Sequence, residues 1–143
     1  MSGCGNRQPL LALMDGYWGS SMPNERVLVV EDEWLIRELM VEALTDAGFH
    51  VDDAEDAHAA SSLLQADGYQ LIVTDLHLPR GMNGWQLAER VHRQEPRTPI
   101  VLVTGRPDIL DQLPKPSVYM KALPKPFTLQ ALVDLVRAML ASD

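Results

Sequence analysis

Cysteine is almost missing from this chain. Cys4 is the only one in 143 residues, so no internal disulfide can form and a reducing compartment is the natural setting. Long apolar runs are missing as well. The longest near the start, Leu10 to Met14, is too short for a secretory core and is preceded by a single Arg7. Nothing approaches the ~18 to 20 consecutive apolar residues that a membrane-spanning helix needs, and a soluble cytoplasmic protein is expected. Basic residues are scarce through the first half. The net charge is −8, and between Glu31 and Asp75 twelve acidic residues face Arg37 alone. Nucleic acid demands a basic face, so it is not an expected partner. The four histidines show no metal-ligand spacing, and no Gly-x-x-x-x-Gly-Lys phosphate loop is present.

What the chain does have is an ordinary apolar content of 46% and a regular alternation of signals. Residues 1–23 read as a flexible tail and 24–143 as one domain. Val27 to Val30 is a buried-strand run. Leu35, Ile36, Leu39, Met40, Ala43, Leu44 and Ala47 then form a helical stripe that Gly48 stops. A weaker strand spans Phe49 to Ala54, followed by a helix from Asp56 to Gln65. A strong strand covers Gln70 to Thr74, and a helix runs from Gly84 to Arg93. Strands at Ile100 to Val103 and Tyr119 to Leu123 follow, and a last helix runs to Leu140 with Thr128 as its N-cap. Between Thr104 and Tyr119 the prolines at 107, 114 and 116 leave room for about two helical turns, around Asp108 to Leu113. Alternating βα units of this length predict an α/β fold with a parallel sheet covered on both faces.

Polar groups then stand just past the apolar runs: Glu31-Asp32-Glu33, Asp75, Thr104 and Lys125-Pro126-Phe127. The carboxyl edge of a parallel sheet is where ligand sites open. A carboxylate pair, a lone aspartate, a hydroxyl and a lysine sharing one pocket suit a divalent cation and a phosphoryl group. Mg2+ prefers hard oxygen ligands, and charge growing on phosphoryl oxygens is best met by preorganised cations and donors. Each residue alone has a plainer reading, such as acids favoured at a helix N-terminus; the alignment of four strand ends supports the chemical one.

In this order, the acidic pair, Asp75, Thr104 and Lys125-Pro126-Phe127 resemble the receiver domain of bacterial response regulators, of the single-domain type, over residues from about Glu25 to Leu140. The resemblance implies a doubly wound, five-stranded, flavodoxin-like (βα)5 fold with strand order 2-1-3-4-5. It implies Asp75 as phosphoacceptor and Glu31, Asp32, Asp75 and the His77 backbone carbonyl as Mg2+ ligands. Thr104 is then the switch hydroxyl and Lys125 the phosphate-contacting lysine, with a cis bond to Pro126. A histidine kinase or histidine phosphotransfer protein would supply the phosphoryl group, and a protein target would read it. No enzymatic activity is implied beyond Mg2+-dependent self-phosphorylation and slow self-dephosphorylation. No output domain is expected after Leu140.

Several positions depart from the family pattern. The loop Leu78 to Gly84 is one residue longer than usual, and Ala122 stands where receivers carry a switch tyrosine or phenylalanine. Tyr119 is a poor substitute, since three residues of strand put it about 10 Å away. Phosphorylation is therefore expected to act by ordering residues 105–117 through Thr104. Gly105 after Thr104 is reminiscent of an atypical group of single-domain receivers. His77 and Arg106 flank the entrance to the pocket. A haloacid-dehalogenase-type phosphatase would want an aspartate at 77, and a flavodoxin-like cofactor binder would not have an acidic first loop. The stronger rival is a degenerate receiver that binds partners without phosphorylation.

Overall fold

The computed structural model describes residues 25–66, 68–106, 108 and 119–141. The expected tail, and all but Asp108 of the expected short helix at 108–113, lie outside the described residues. Five strands, β1 (Arg26–Val30), β2 (His50–Ala54), β3 (Leu71–Asp75), β4 (Ile100–Thr104) and β5 (Met120–Pro124), alternate with four described helices. These are α1 (Trp34–Asp46), α2 (Ala57–Ala66), α3 (Gly84–Gln94) and α4 (Leu129–Ala141). All strand pairs are parallel, in the order β2-β1-β3-β4-β5.

The three central strands are apolar on both faces because helices cover both. Val27 and Val29 point into one core with Met40 and Leu44 of α1 and Leu132, Val133 and Val136 of α4. Leu28 and Val30 point into the other, against Ala57 and Ala60 of α2 and Leu87, Ala88 and Val91 of α3. Continuous β-branched runs are what such a doubly covered strand requires. Three helix starts carry side-chain caps, the first at α2, where Asp56 Oδ1 accepts from the Ala59 amide at 2.8 Å. Thr128 Oγ1 accepts from the Ala131 amide at 3.0 Å, and Asn83 and Gln86 form a reciprocal capping box at the start of α3.

The stripe on α1 is narrower than its spacing suggests. Met40 and Leu44 are buried, with Ile36, Ala43 and Ala47 packed around them. Leu35 and Leu39 are 56% and 42% exposed, beside Trp34 at 64%. A helix lying on a sheet buries only the rows that face it, and these three residues sit on the row beyond.

The amino edge of the sheet carries a polar cluster of its own. Asp52 on the edge strand β2 accepts from Arg26 at 3.0 Å and from the Tyr69 hydroxyl at 2.7 Å. The Arg26 guanidinium also lies 5.2 Å from the centre of the Tyr69 ring. Burial, and then the bond to Asp52, push the Tyr69 hydroxyl up to about 12.

Candidate functional site

The strand order reverses between β1 and β3, and the site opens at that point of the carboxyl edge. In the register Val30 pairs with Thr74, so the next residues on each strand, Glu31 and Asp75, come side by side. Thr104 pairs with Pro124 at the ends of β4 and β5, and the Lys125 amide donates to the Thr104 carbonyl at 2.7 Å. The following Lys125–Pro126 peptide is cis. The fold thus gathers residues 31, 32, 75, 104 and 125 at one edge.

The contacts are close. Lys125 Nζ donates to Asp75 Oδ2 at 2.8 Å and lies 3.8 Å from Glu31 Oε1. The His77 amide donates to Asp75 Oδ1 at 3.0 Å, with the His77 side chain exposed. Thr104, fully buried, accepts from the Arg106 amide at its Oγ1, 2.9 Å away. Tyr119 precedes β5, at the opposite end of that strand from Lys125, and Ala122 is exposed in its middle. Neither supplies an aromatic ring at the position three before Lys125.

The electrostatics are unbalanced. Glu31, Asp32 and Asp75 each place a carboxylate oxygen within 4.8 Å of the others. Three carboxylates around one ammonium leave two surplus negative charges when all are ionised. Glu31 is 1% exposed. Burial pushes its carboxyl up to about 7, against the lowering effect of the Glu33 amide, and Asp75 pushes the same way as burial. Burial alone would lower the Lys125 ammonium; the hydrogen bond and charge of Asp75, with Glu31 and Glu33 nearby, outweigh it and hold its pKa above the ordinary value. Glu31 Oε2 accepts from the Glu33 amide at 3.1 Å, whereas Oε1 is buried with no hydrogen-bond partner. A buried carboxylate oxygen without a hydrogen bond is costly, and a hard divalent cation is a ligand that this all-oxygen set fits.

Sequence reasoning missed the support behind Asp75. The Thr74 hydroxyl, fully buried, donates to the Asp75 carbonyl at 3.0 Å. Gly84, the first residue of α3, comes so close that a Cβ there would lie 1.8 Å from the same carbonyl oxygen. Its amide donates to the Leu76 carbonyl at 2.9 Å. The glycine therefore lets α3 start directly against the strand that carries the aspartate. The longer loop between them turns through two consecutive left-handed residues, Arg80 and Gly81. Arg80 is tied to Asp56 at 3.0 Å. The Ala59 amide, and then Arg80, hold the Asp56 carboxyl below its usual range.

Comparison with known proteins agrees with this arrangement. The family model for the response regulator receiver domain matches residues 27–137. The transcriptional regulatory protein TctD of Salmonella typhimurium is 34% identical over 116 residues, covering 80% of this chain and 51% of TctD. The chain spans about half the length of the curated relatives it matches. Among solved structures, a response regulator receiver protein from Sinorhizobium medicae superposes with a TM-score of 0.77 at 27% identity, covering 85% of this chain and 98% of that one. The response regulator TrrA of Thermotoga maritima, crystallised in complex with Mg2+ and BeF, gives 0.73 at 28% identity, covering 80% and 98%. No helix among the described residues is long and apolar enough to cross a membrane.

Proposed function

The chain belongs to the response regulator receiver family, and from that premise we propose that it takes a phosphoryl group onto Asp75 and signals through protein contacts. The observation that carries this reading is the carboxylate set around Asp75, three acids beside one lysine, with one buried oxygen of Glu31 that has no hydrogen-bond partner. TrrA, of similar fold, holds Mg2+ and BeF, which supports Mg2+ as the cation here. Glu31, Asp32 and Asp75, with the His77 carbonyl, would hold it. When bound, it would supply a Lewis acid that neutralises charge on the phosphoryl oxygens.

The residues divide the remaining work. A carboxylate oxygen of Asp75 attacks phosphorus, the bond from phosphorus to the donor nitrogen breaks, and the electron pair leaves with that nitrogen. An acyl phosphate results. Lys125, already 2.8 Å from Asp75, turns its ammonium to the incoming oxygens, and the Thr104 hydroxyl offers a second donor. The His77 amide and the Thr74 hydroxyl keep Asp75 in place meanwhile. The donor is a histidine kinase or a histidine phosphotransfer protein. Trp34, Leu35 and Leu39, exposed at the start of α1 beside the acidic loop, offer it an apolar landing surface. The protein acts in the cytoplasm, with no catalysis beyond its own phosphorylation and dephosphorylation.

The test is labelling of the chain with acetyl phosphate. Acid-labile phosphate that requires Mg2+ and Asp75 is the expected result. Absence of label with and without Mg2+ would instead favour a degenerate receiver, a reading that the missing ring at Ala122 favours.

A further inference from the structure

Arg37 is the sole cation among the twelve acids between Glu31 and Asp75, and its placement shows what it does. It sits on the first turn of α1 with its side chain 16% exposed. Its Nη1 donates to the Glu31 backbone carbonyl at 2.7 Å, and its Nε donates to Asp53 Oδ2 near the end of β2 at 3.0 Å. The Glu31 amide donates to the Ala54 carbonyl at 3.0 Å. The loop that carries the acidic pair is therefore pinned to β2 twice, once through its own amide and once through the guanidinium. Both anchors fall on Glu31. Asp32 next to it is exposed, so its direction depends on where Glu31 is held. Arginine suits this task because its planar fork presents N–H groups toward two acceptors at once, and a lysine ammonium has no such geometry.

We propose that Arg37 is a positioning residue for the divalent-cation site. By bridging the Glu31 carbonyl to Asp53, its guanidinium fixes the Glu31–Asp32 loop and so sets the affinity for Mg2+. This rests on the reading of Glu31, Asp32 and Asp75 as the cation site. Groups that orient metal ligands from behind commonly change affinity by about 10 to 100-fold when removed.

The experiment titrates the full chain with Mg2+, by calorimetry and by the fluorescence of its tryptophans, Trp34 among them. Variants Arg37→Gln, Arg37→Lys and Asp53→Asn are compared with the unaltered chain. Arg37→Gln is expected to weaken Mg2+ by about tenfold or more. Asp53→Asn should weaken it less, because the bond to the Glu31 carbonyl stays. Arg37→Lys should fall between. The Mg2+ dependence of acetyl phosphate labelling separates positioning from simple loss of fold: Arg37→Gln should shift the half-saturating Mg2+ while the rate at saturation recovers. A lower amplitude with an unchanged half-point would overturn the proposal. So would wild-type Mg2+ affinity in Arg37→Gln while Glu31→Gln loses binding, a result that leaves the cation site itself standing. If the unaltered chain binds no Mg2+, the cation site falls and the proposal with it.

Discussion

The two edges of the sheet gather polar groups for opposite ends. At the amino edge, Asp52 receives Arg26 and Tyr69 together, and its charge is matched. At the carboxyl edge, Glu31 and Asp75 share one lysine with Asp32 close by, and a buried oxygen of Glu31 has no hydrogen-bond partner. The first arrangement stabilises the fold. The second gathers more carboxylates than cations, as a site able to take a metal ion does. A polar cluster in a receiver can thus be sorted by whether its charges close, and substitutions at the two edges should differ in sign as well as in size.

The largest effect is expected at Asp75. Asp75→Asn keeps the shape and removes the nucleophile, so labelling by acetyl phosphate should drop to background. The melting temperature should stay level or rise, since one charge leaves a site with too many. Acid-labile phosphate retained in that variant would break the contrast. Next is Gly84→Ala, where a methyl group 1.8 Å from the Asp75 carbonyl forces strand and helix apart. Urea unfolding should show a loss on the order of 3 kcal/mol, and a loss under ~1 kcal/mol would mean that the helix start adjusts freely.

The pH dependence follows from Glu31, whose carboxyl is raised from 4.5 to about 7. The folded chain binds the proton that the unfolded chain has released, so stability contributed by this group is full below pH 4.5 and is lost as pH rises through about 7. Thermal melts without divalent cation should decline across that window, and Glu31→Gln should flatten the decline. Added Mg2+ should raise the melting temperature more above the window than below it. A flat wild-type profile would remove the claim that Glu31 is held against its charge. The smallest effect belongs to the amino edge. Asp52→Ala, at a half-exposed position, should cost about 1 kcal/mol and leave Mg2+ affinity where it was. A weakened affinity there would show that the two edges are coupled.

The sheet was legible because most of its strands are short apolar runs bounded by polar residues, Gly or Pro, a signal that needs only neighbours in sequence. Each strand begins and ends within about one residue of its expected position. That Glu31, Asp75 and Lys125 would meet, with Thr104 at the same edge of the sheet, was legible for the same reason, since each stands at the end of such a run. The outward turn of Leu35 and Leu39 was not, because helical spacing fixes which residues share a stripe and not how wide a strip the sheet covers. Arg37 looked like one cation among acids. Its work depends on Asp53, sixteen residues away across another strand. Gly84 gave no local signal either; only the packing of α3 on β3 reveals why no side chain fits.

Lys125 and Asp75 stand 50 residues apart in the chain, and the lysine arrives on β5, an edge strand hydrogen-bonded to β4 alone. The pair exists only once β5 has docked on β4, so a chain without that strand in place has Asp75 without its counter-charge. The same holds for a mature molecule whose last strand has opened, since edges unfold more readily than the centre of a sheet. On the function proposed above, Asp75 therefore has its lysine only where the sheet is complete as far as β5.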